Sequence, residues 1–291
     1  MTENGENPWN NFSGSAFEKA VVNELSIDAM SVTQSSLLGL GALTIDLVSP
    51  EDLKHLIHTP NLVSLSIMCY GDVELEELSK LKLLSTLTIK GANVENVDSL
   101  VGLRNLSNLD ISNSGIGNFS GLRDLINLRS LRLRNCDIDD LDVLHRLKNL
   151  NVLNINENNV EDLRPLSDLG DLEILDIEGN EISNLEPLSS LRHLTWIHAT
   201  RNSIGDLGPL TFLAKLESLN LGHNKVTNID ALSKITSLRW LGLAFNNIRD
   251  ISSLNALPKL RYLDIEGDSF NQQSTRIHLP NLAAKGIEIF K

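Results

Sequence analysis

The sequence predicts an α/β repeat solenoid, built from one strand-and-turn unit copied eleven times. Three observations predict it. Leucine (55) and asparagine (31) dominate the 291 residues while aromatics are only 4%. Such a bias marks a short unit copied many times, since a single large core uses more Phe, Tyr and Trp. A leucine register also recurs every 22 residues, at Leu40, Leu62, Leu84, Leu106, Leu128, Leu150, Leu172, Leu194, Leu216, Leu238 and Leu260, with no insertion evident. Within each unit, apolar residues two apart give way to leucines three apart.

The front of each unit carries the two-residue spacing, as in Leu219 and Leu221, which is the period of a strand with one buried face. The back carries the three-residue spacing, as in Leu163, Leu166 and Leu169. Side chains at i and i+3 eclipse in a 3₁₀ helix, so this part reads as 3₁₀ or extended turn. The inward leucines of one unit are buried only by the neighbouring units.

Two polar columns fit the same frame. Asn158, Asn180, Asn202, Asn224 and Asn246 follow successive strands, with Cys136 in the equivalent place earlier. A buried amide there satisfies loop backbone groups that have no ladder partner. Four residues on come Asp52, Glu74, Asn96, Asn118, Asp140, Asp162, Asn184, Asp206, Asn228 and Asp250, expected to cap each back-side turn.

This L-x-x-L-x-[LI]-x-x-N-x-[IV] pattern resembles the leucine-rich-repeat family, in particular its 22-residue subclass of SDS22-type proteins and bacterial internalins. Asp162-Leu163-Arg164-Pro165-Leu166 and Asn184-Leu185-Glu186-Pro187-Leu188 are similar to the internalin D-L-x-P-L element, and Gly208-Pro209-Leu210 follows it. The tail from Leu279 to Ile289 resembles the closing segment of bacterial members. The resemblance implies a right-handed solenoid with a concave parallel β-sheet and 3₁₀ or turn segments on the convex side. Eleven strands would make that sheet roughly 50 Å long. Neither the immunoglobulin-like domain of internalins nor the catalytic module of some repeat effectors is evident in this sequence, and no signal peptide is visible.

The organisation expected is a flexible segment at 1–14, an N-terminal cap at 15–39, repeats over 40–269 with the last unit partial, and a C-terminal cap at 270–291. Ser15-x-x-Glu18 has the form of a capping box opening a helix with Phe17, Val21 and Leu25 on one side. Leu25 and Ile27 are alternatively a first irregular strand. A membrane-surface helix is disfavoured because no basic face accompanies the apolar one.

Lys+Arg 25 against Asp+Glu 38 gives a net charge of −13, the wrong sign for nucleic-acid binding. No apolar run is long enough to span a bilayer. Cys69 and Cys136 lie three units apart, about 14 Å along the stack, too far for a disulfide. Two cysteines that cannot pair with each other and the lack of a visible leader suggest a cytoplasmic chain, with export by a signal-independent route as the alternative.

Function is sought on the strand positions that face solvent. One column reads Ala42, Ser64, Thr86, Asn108, Ser130, Val152, Ile174, Trp196, Ser218, Trp240 and Tyr262. Trp196 and Trp240 would stand about 10 Å apart over Ser218, Gly222, Gly242 and Ala244, forming a slot. His198, Arg201, Asn220, His223, Phe245 and Asp264 are the expected neighbours. Exposed Trp, Tyr and Arg are the usual anchors of protein interfaces. A second candidate is basic: Lys90, Arg129, Arg132 and Arg134, suited to a carboxylate or phosphate on a partner unless Asp110, Asp176 and Glu178 neutralise it. No nucleophile–base pair, phosphate loop or metal motif is evident, and no cofactor is expected. His198 and His223 could approach each other, a weak metal signal. The reading is a monomeric, non-enzymatic module binding a protein on the concave face. The alternatives are an exported effector or a sensor of a small molecule or peptide.

Overall fold

The computed structural model describes residues 13–46 and 49–291. The expected flexible segment lies, through residue 12, outside the described residues. The chain forms two compact units, Met1–Cys136 and Asp137–Lys291.

In the first unit, strands β1 (Ala42–Asp46), β2 (Ser64–Met68), β4 (Thr86–Lys90), β6 (Asn108–Ser112) and β8 (Ser130–Arg132) form a parallel sheet. Each pairs with the next at a 22-residue offset, Leu43 with Leu65, Leu65 with Leu87, Leu87 with Leu109 and Leu109 with Leu131. A second parallel sheet, β3 (Asp72–Val73), β5 (Asn93–Asn96) and β7 (Gly115–Asn118), runs after the first-sheet strands. The second unit has one parallel sheet: β9 (Val152–Asn154), β10 (Ile174–Asp176), β11 (Trp196–His198), β12 (Ser218–Asn220), β13 (Trp240–Gly242), β14 (Tyr262–Asp264) and β15 (Glu288–Phe290). Every back segment from Pro50–His58 to Ser252–Ala256 contains 3₁₀ helix, as the three-residue leucine spacing predicts.

The register leucines from Leu40 to Leu260 are all buried, and so are their partners two strand positions apart. One stretch departs from the expected even register. Position 72 should be apolar but is an exposed Asp, and Val73 is buried in its place. β3 accordingly pairs with β5 at a 21-residue offset, Val73 against Val94, so a one-residue shift is absorbed in the loop. Ile116 and Phe119, expected inside, are only half-buried.

The two polar columns do what their chemistry predicts. The Asn180 Oδ1 accepts from Val160 N–H at 3.0 Å, and its Nδ2 donates to Ile155 C=O at 2.9 Å. Asn158, Asn202, Asn224 and Asn246 accept in the same way from Ile138, Ile182, Ile204 and Val226. Each amide therefore ties neighbouring turns through groups that would otherwise be buried without partners. In the capping column, Asn96, Asn118, Asp140, Asp162, Asn184, Asp206, Asn228 and Asp250 each accept from the N–H two residues ahead, at 2.8–3.2 Å. Asp52 differs, accepting from Ser49 and Ala16 N–H. Glu74, one methylene longer, shows no capping bond among the described residues.

At the N-terminal end, helix α1 (Ala16–Leu25) buries Ala16, Phe17, Ala20 and Val21. Ser15 accepts from Glu18 N–H as expected, while the Glu18 carboxylate reaches back to Gly14 N–H. Leu25 ends the helix half-buried, with left-handed Ser26 as its cap, so the alternative strand at Leu25–Ile27 is not formed. The short helix α2 (Gln34–Leu38) follows, capped by Thr33 and Ser36. At the other end, α3 (Leu279–Ala284) buries Leu279 and Leu282 and leads to β15, which pairs with β14. Among the described residues no helix is long and apolar enough to cross a membrane.

Candidate functional site

Strand pairing aligns the aromatic column of the second unit. Trp196 stands opposite Ser218, Ser218 opposite Trp240, and Trp240 opposite Tyr262. Both tryptophans are half-buried and Tyr262 is 46% exposed. Trp196, His198, Ser218, Asn220 and Trp240 line a pocket of about 360 Å³, so the slot expected from the sequence is present.

Its floor depends on glycine at one point. A Cβ on Gly242 would lie 2.5 Å from Asn220 Oδ1 and 2.7 Å from Trp240 Cη2, so the indole lies over the glycine two residues ahead on its own strand. Trp196 meets a side chain at the corresponding place, standing edge-on to the His198 ring at a centroid distance of 5.5 Å.

The third strand position supplies His198, Asn220 and Asp264. The Asn220 and Asp264 oxygens accept from Gly222 and Glu266 N–H, both at 3.2 Å, closing the turn that leaves the strand. Their role is thus partly structural. His198 is held differently, with Thr200 Oγ1 at 3.0 Å from Nε2 and the carboxylates of Asp176 and Glu178 at 3.6 and 3.7 Å.

Arg201, His223 and Phe245 occupy one column in three successive turns, all with positive φ of 54–58° and all exposed. His223 stacks on Phe245 at 4.4 Å, so the two histidines engage different partners. The same column holds Gly91, Gly179 and Gly267, and also Asn113, Asn135 and Glu157, each with positive φ. The exposure of the three bulky residues follows from their repeat position, whereas their left-handed backbone is signalled in the sequence only by the glycines of that column.

The basic candidates fall in the first unit. Lys90 pairs with Asp110 at 3.9 Å, and Arg132 donates to Ser130 Oγ at 2.9 Å. Arg129, Arg132 and Arg134 are exposed. Of the acids expected to neutralise them, Asp110 engages Lys90, whereas Asp176 and Glu178 face His198. Cys69 and Cys136 are buried and form no disulfide with each other. Burial pushes the Cys136 thiol up to about 11, and its Sγ lies 2.7 Å from Ile111 C=O, so it is poorly suited to act as a nucleophile.

Leucine-rich-repeat models match residues 192–248 and, as two-copy repeats, 126–168 and 236–281. No curated protein sequence matches the chain. Among solved structures, an internalin (inlF) from Listeria monocytogenes is similar with a TM-score of 0.80 and 23% identity, covering 100% of this chain and 99% of that one. Internalin C2 (inlC2) from the same organism gives 0.64 and 25% over 81% of this chain and 96% of its own. The plant peptide hormone receptor RGFR1, solved in complex with RGF2, gives 0.65 and 20% over 82% of this chain and 41% of that one. Repeats, registers and similar structures agree: the chain is a leucine-rich-repeat protein with an internalin-like fold.

Proposed function

We propose that the chain is a non-enzymatic module that binds a partner protein on the solvent face of the sheet of its second unit, the face expected to be concave. Trp196, Trp240 and Tyr262 act as anchors, with Arg201, His223 and Phe245 along the adjoining turns. The observation that carries the reading is the left-handed column. Glycine adopts that conformation freely, whereas bulky residues pay roughly 1–3 kcal/mol each. Three consecutive turns hold Arg, His and Phe there, exposed beside the only slot lined by two tryptophans among the described residues. Desolvating such side chains against a partner gives the largest return in affinity.

The decisive test is a pull-down and affinity measurement with Trp196→Ala and Trp240→Ala, singly and together. Each substitution should weaken the complex about 30-fold, the equivalent of about 2 kcal/mol, while leaving the circular dichroism unchanged. Unaltered affinity in the double variant would sink the proposal. A second reading rests on the pocket volume, which falls inside the ~300–1,000 Å³ range of small-ligand sites. RGFR1, a plant peptide hormone receptor, has a similar fold, so a short peptide is the first ligand to titrate against tryptophan fluorescence. We place the module in the cytoplasm, supported by two buried cysteines that form no disulfide with each other. Recovery from culture medium on fractionation would favour the exported-effector alternative.

A further inference from the structure

Three donor side chains converge beside Trp196, and partner binding does not need them as a group. Asp176 closes β10, Glu178 follows by two residues, and His198 closes β11 directly opposite Asp176. One ligand atom from each lies within 4.8 Å of the others. His198 Nδ1 is 3.6 Å from Asp176 Oδ1, and Nε2 is 3.7 Å from Glu178 Oε2. Donors bound about 2.1 Å from a tetrahedral ion stand roughly 3.4 Å from one another, so with Nδ1 as the ligand Asp176 is nearly in place and the Glu178 carboxylate must turn from the Nε2 side to close the shell.

Surrounding groups orient these donors. Asn154 and Asn156 donate Nδ2 hydrogens to Asp176 Oδ2 at 2.8 and 3.2 Å, while Oδ1 is the oxygen beside His198. Thr200 Oγ1 lies 3.0 Å from Nε2, and in the tautomer that carries its hydrogen there His198 Nδ1 presents a lone pair beside Asp176. Outer contacts of this kind fix the tautomer and ring angle of a ligating histidine. Asn156 adds an independent sign. It is only 8% exposed and its Oδ1 has no hydrogen-bond partner, a cost of roughly 1–3 kcal/mol borne while its Nδ2 holds the aspartate.

We propose that Asp176, Glu178 and His198 bind one divalent transition-metal ion of the zinc class. One imidazole nitrogen and two carboxylates suit such an ion, whereas calcium takes six to eight oxygens. Three protein donors leave a position for water or an incoming group, and His198 also lines the tryptophan pocket, so the ion would border the slot.

The test is calorimetric titration of zinc chloride into the tag-free, chelator-treated full chain. One ion should bind per chain. His198→Ala and Glu178→Gln should each weaken binding at least ~10-fold, while His145→Ala, an exposed histidine on a back-side turn, should not. Glu178→Gln lies outside the leucine core and keeps the test valid if His198→Ala disturbs folding. Cobalt should quench tryptophan fluorescence in the wild type, and Trp196→Phe should remove most of the quench while retaining stoichiometry, given the 5.5 Å separation from His198. Absence of saturable zinc binding would overturn the proposal. So would binding unaltered in both donor variants, or weakened equally by His145→Ala.

Discussion

In residues 137–291 an asparagine follows strand after strand, whereas in residues 13–136 the same position holds Ala92, Ser114 and Cys136. The backbone problem is common to both: the turn after the strand leaves N–H and C=O groups inside the stack. In the second unit the amide ladder pairs them, with Asn180, Asn202, Asn224 and Asn246 each linking turns. In the first unit the equivalents of Ile138 and Val160 stand instead in the second sheet, Val94 paired with Val73 and Ile116 with Val94. Satisfying a buried polar group is obligatory, but the means is open to sequence. Where the side-chain solution is lost, the backbone solution replaces it.

The largest expected effect breaks the ladder itself. Asn180→Ala strands Val160 N–H and leaves Ile155 C=O with the Asn158 amide alone, and should lower unfolding free energy by about 3 kcal/mol in urea melts. Ser114→Ala, in the unit with the second sheet, removes only 3.3 Å contacts and should cost less than about 1 kcal/mol. Comparable losses at both sites would refute the distinction.

An intermediate effect is expected from Gly242→Ala, which forces Trp240 off its glycine floor. Overpacking of this kind costs roughly 1–3 kcal/mol. Partner affinity should fall with it, whereas Gly222→Ala, whose added Cβ would meet nothing closer than 3.4 Å, should leave both nearly intact. Retained affinity in Gly242→Ala would show that the slot tolerates a displaced indole.

The smallest effect lies where the ladder ends. Asp268 continues the asparagine column and accepts from Ile248 N–H at 2.9 Å, but its buried Oδ2 has no hydrogen-bond partner. Burial raises its pKa above the ordinary 3.8, against the lowering pull of the Ile248 and Asn246 N–H groups. Because the folded state favours the protonated acid, its contribution is fully present below pH 3.8 and is lost as pH rises through the raised value. Asp268→Asn supplies the missing donor and should add about 1 kcal/mol at pH 7. The gain should shrink towards acid pH in paired melts; a pH-independent difference would exclude the titration of Asp268 as its cause.

The repeat frame was legible because a 22-residue register is a one-dimensional signal. Burial of Leu40 to Leu260, the 3₁₀ turns and the eight capping bonds all follow from side-chain type and spacing. The tryptophan slot was legible for the same reason, since strand alternation places Trp196, Ser218 and Trp240 on one face. Two features were not. The shift to Val73 depends on how the loop after β2 absorbs one residue, which periodicity cannot register. Asp176 and Glu178 read as salt-bridge partners for arginines, because charge and proximity in sequence say nothing about which side chain a carboxylate will face.

The sequence by itself determined the unit length, the buried leucines, the amide and capping columns, and the face on which aromatics are displayed. Each is a property of residue type at a fixed repeat position. Only the tertiary structure decided which turns pair by amide and which by backbone, that Arg201, His223 and Phe245 sit in left-handed backbone, and that His198 meets two carboxylates. Those outcomes turn on dihedral angles and rotamers set by neighbouring units, and a register that repeats every 22 residues carries no record of them.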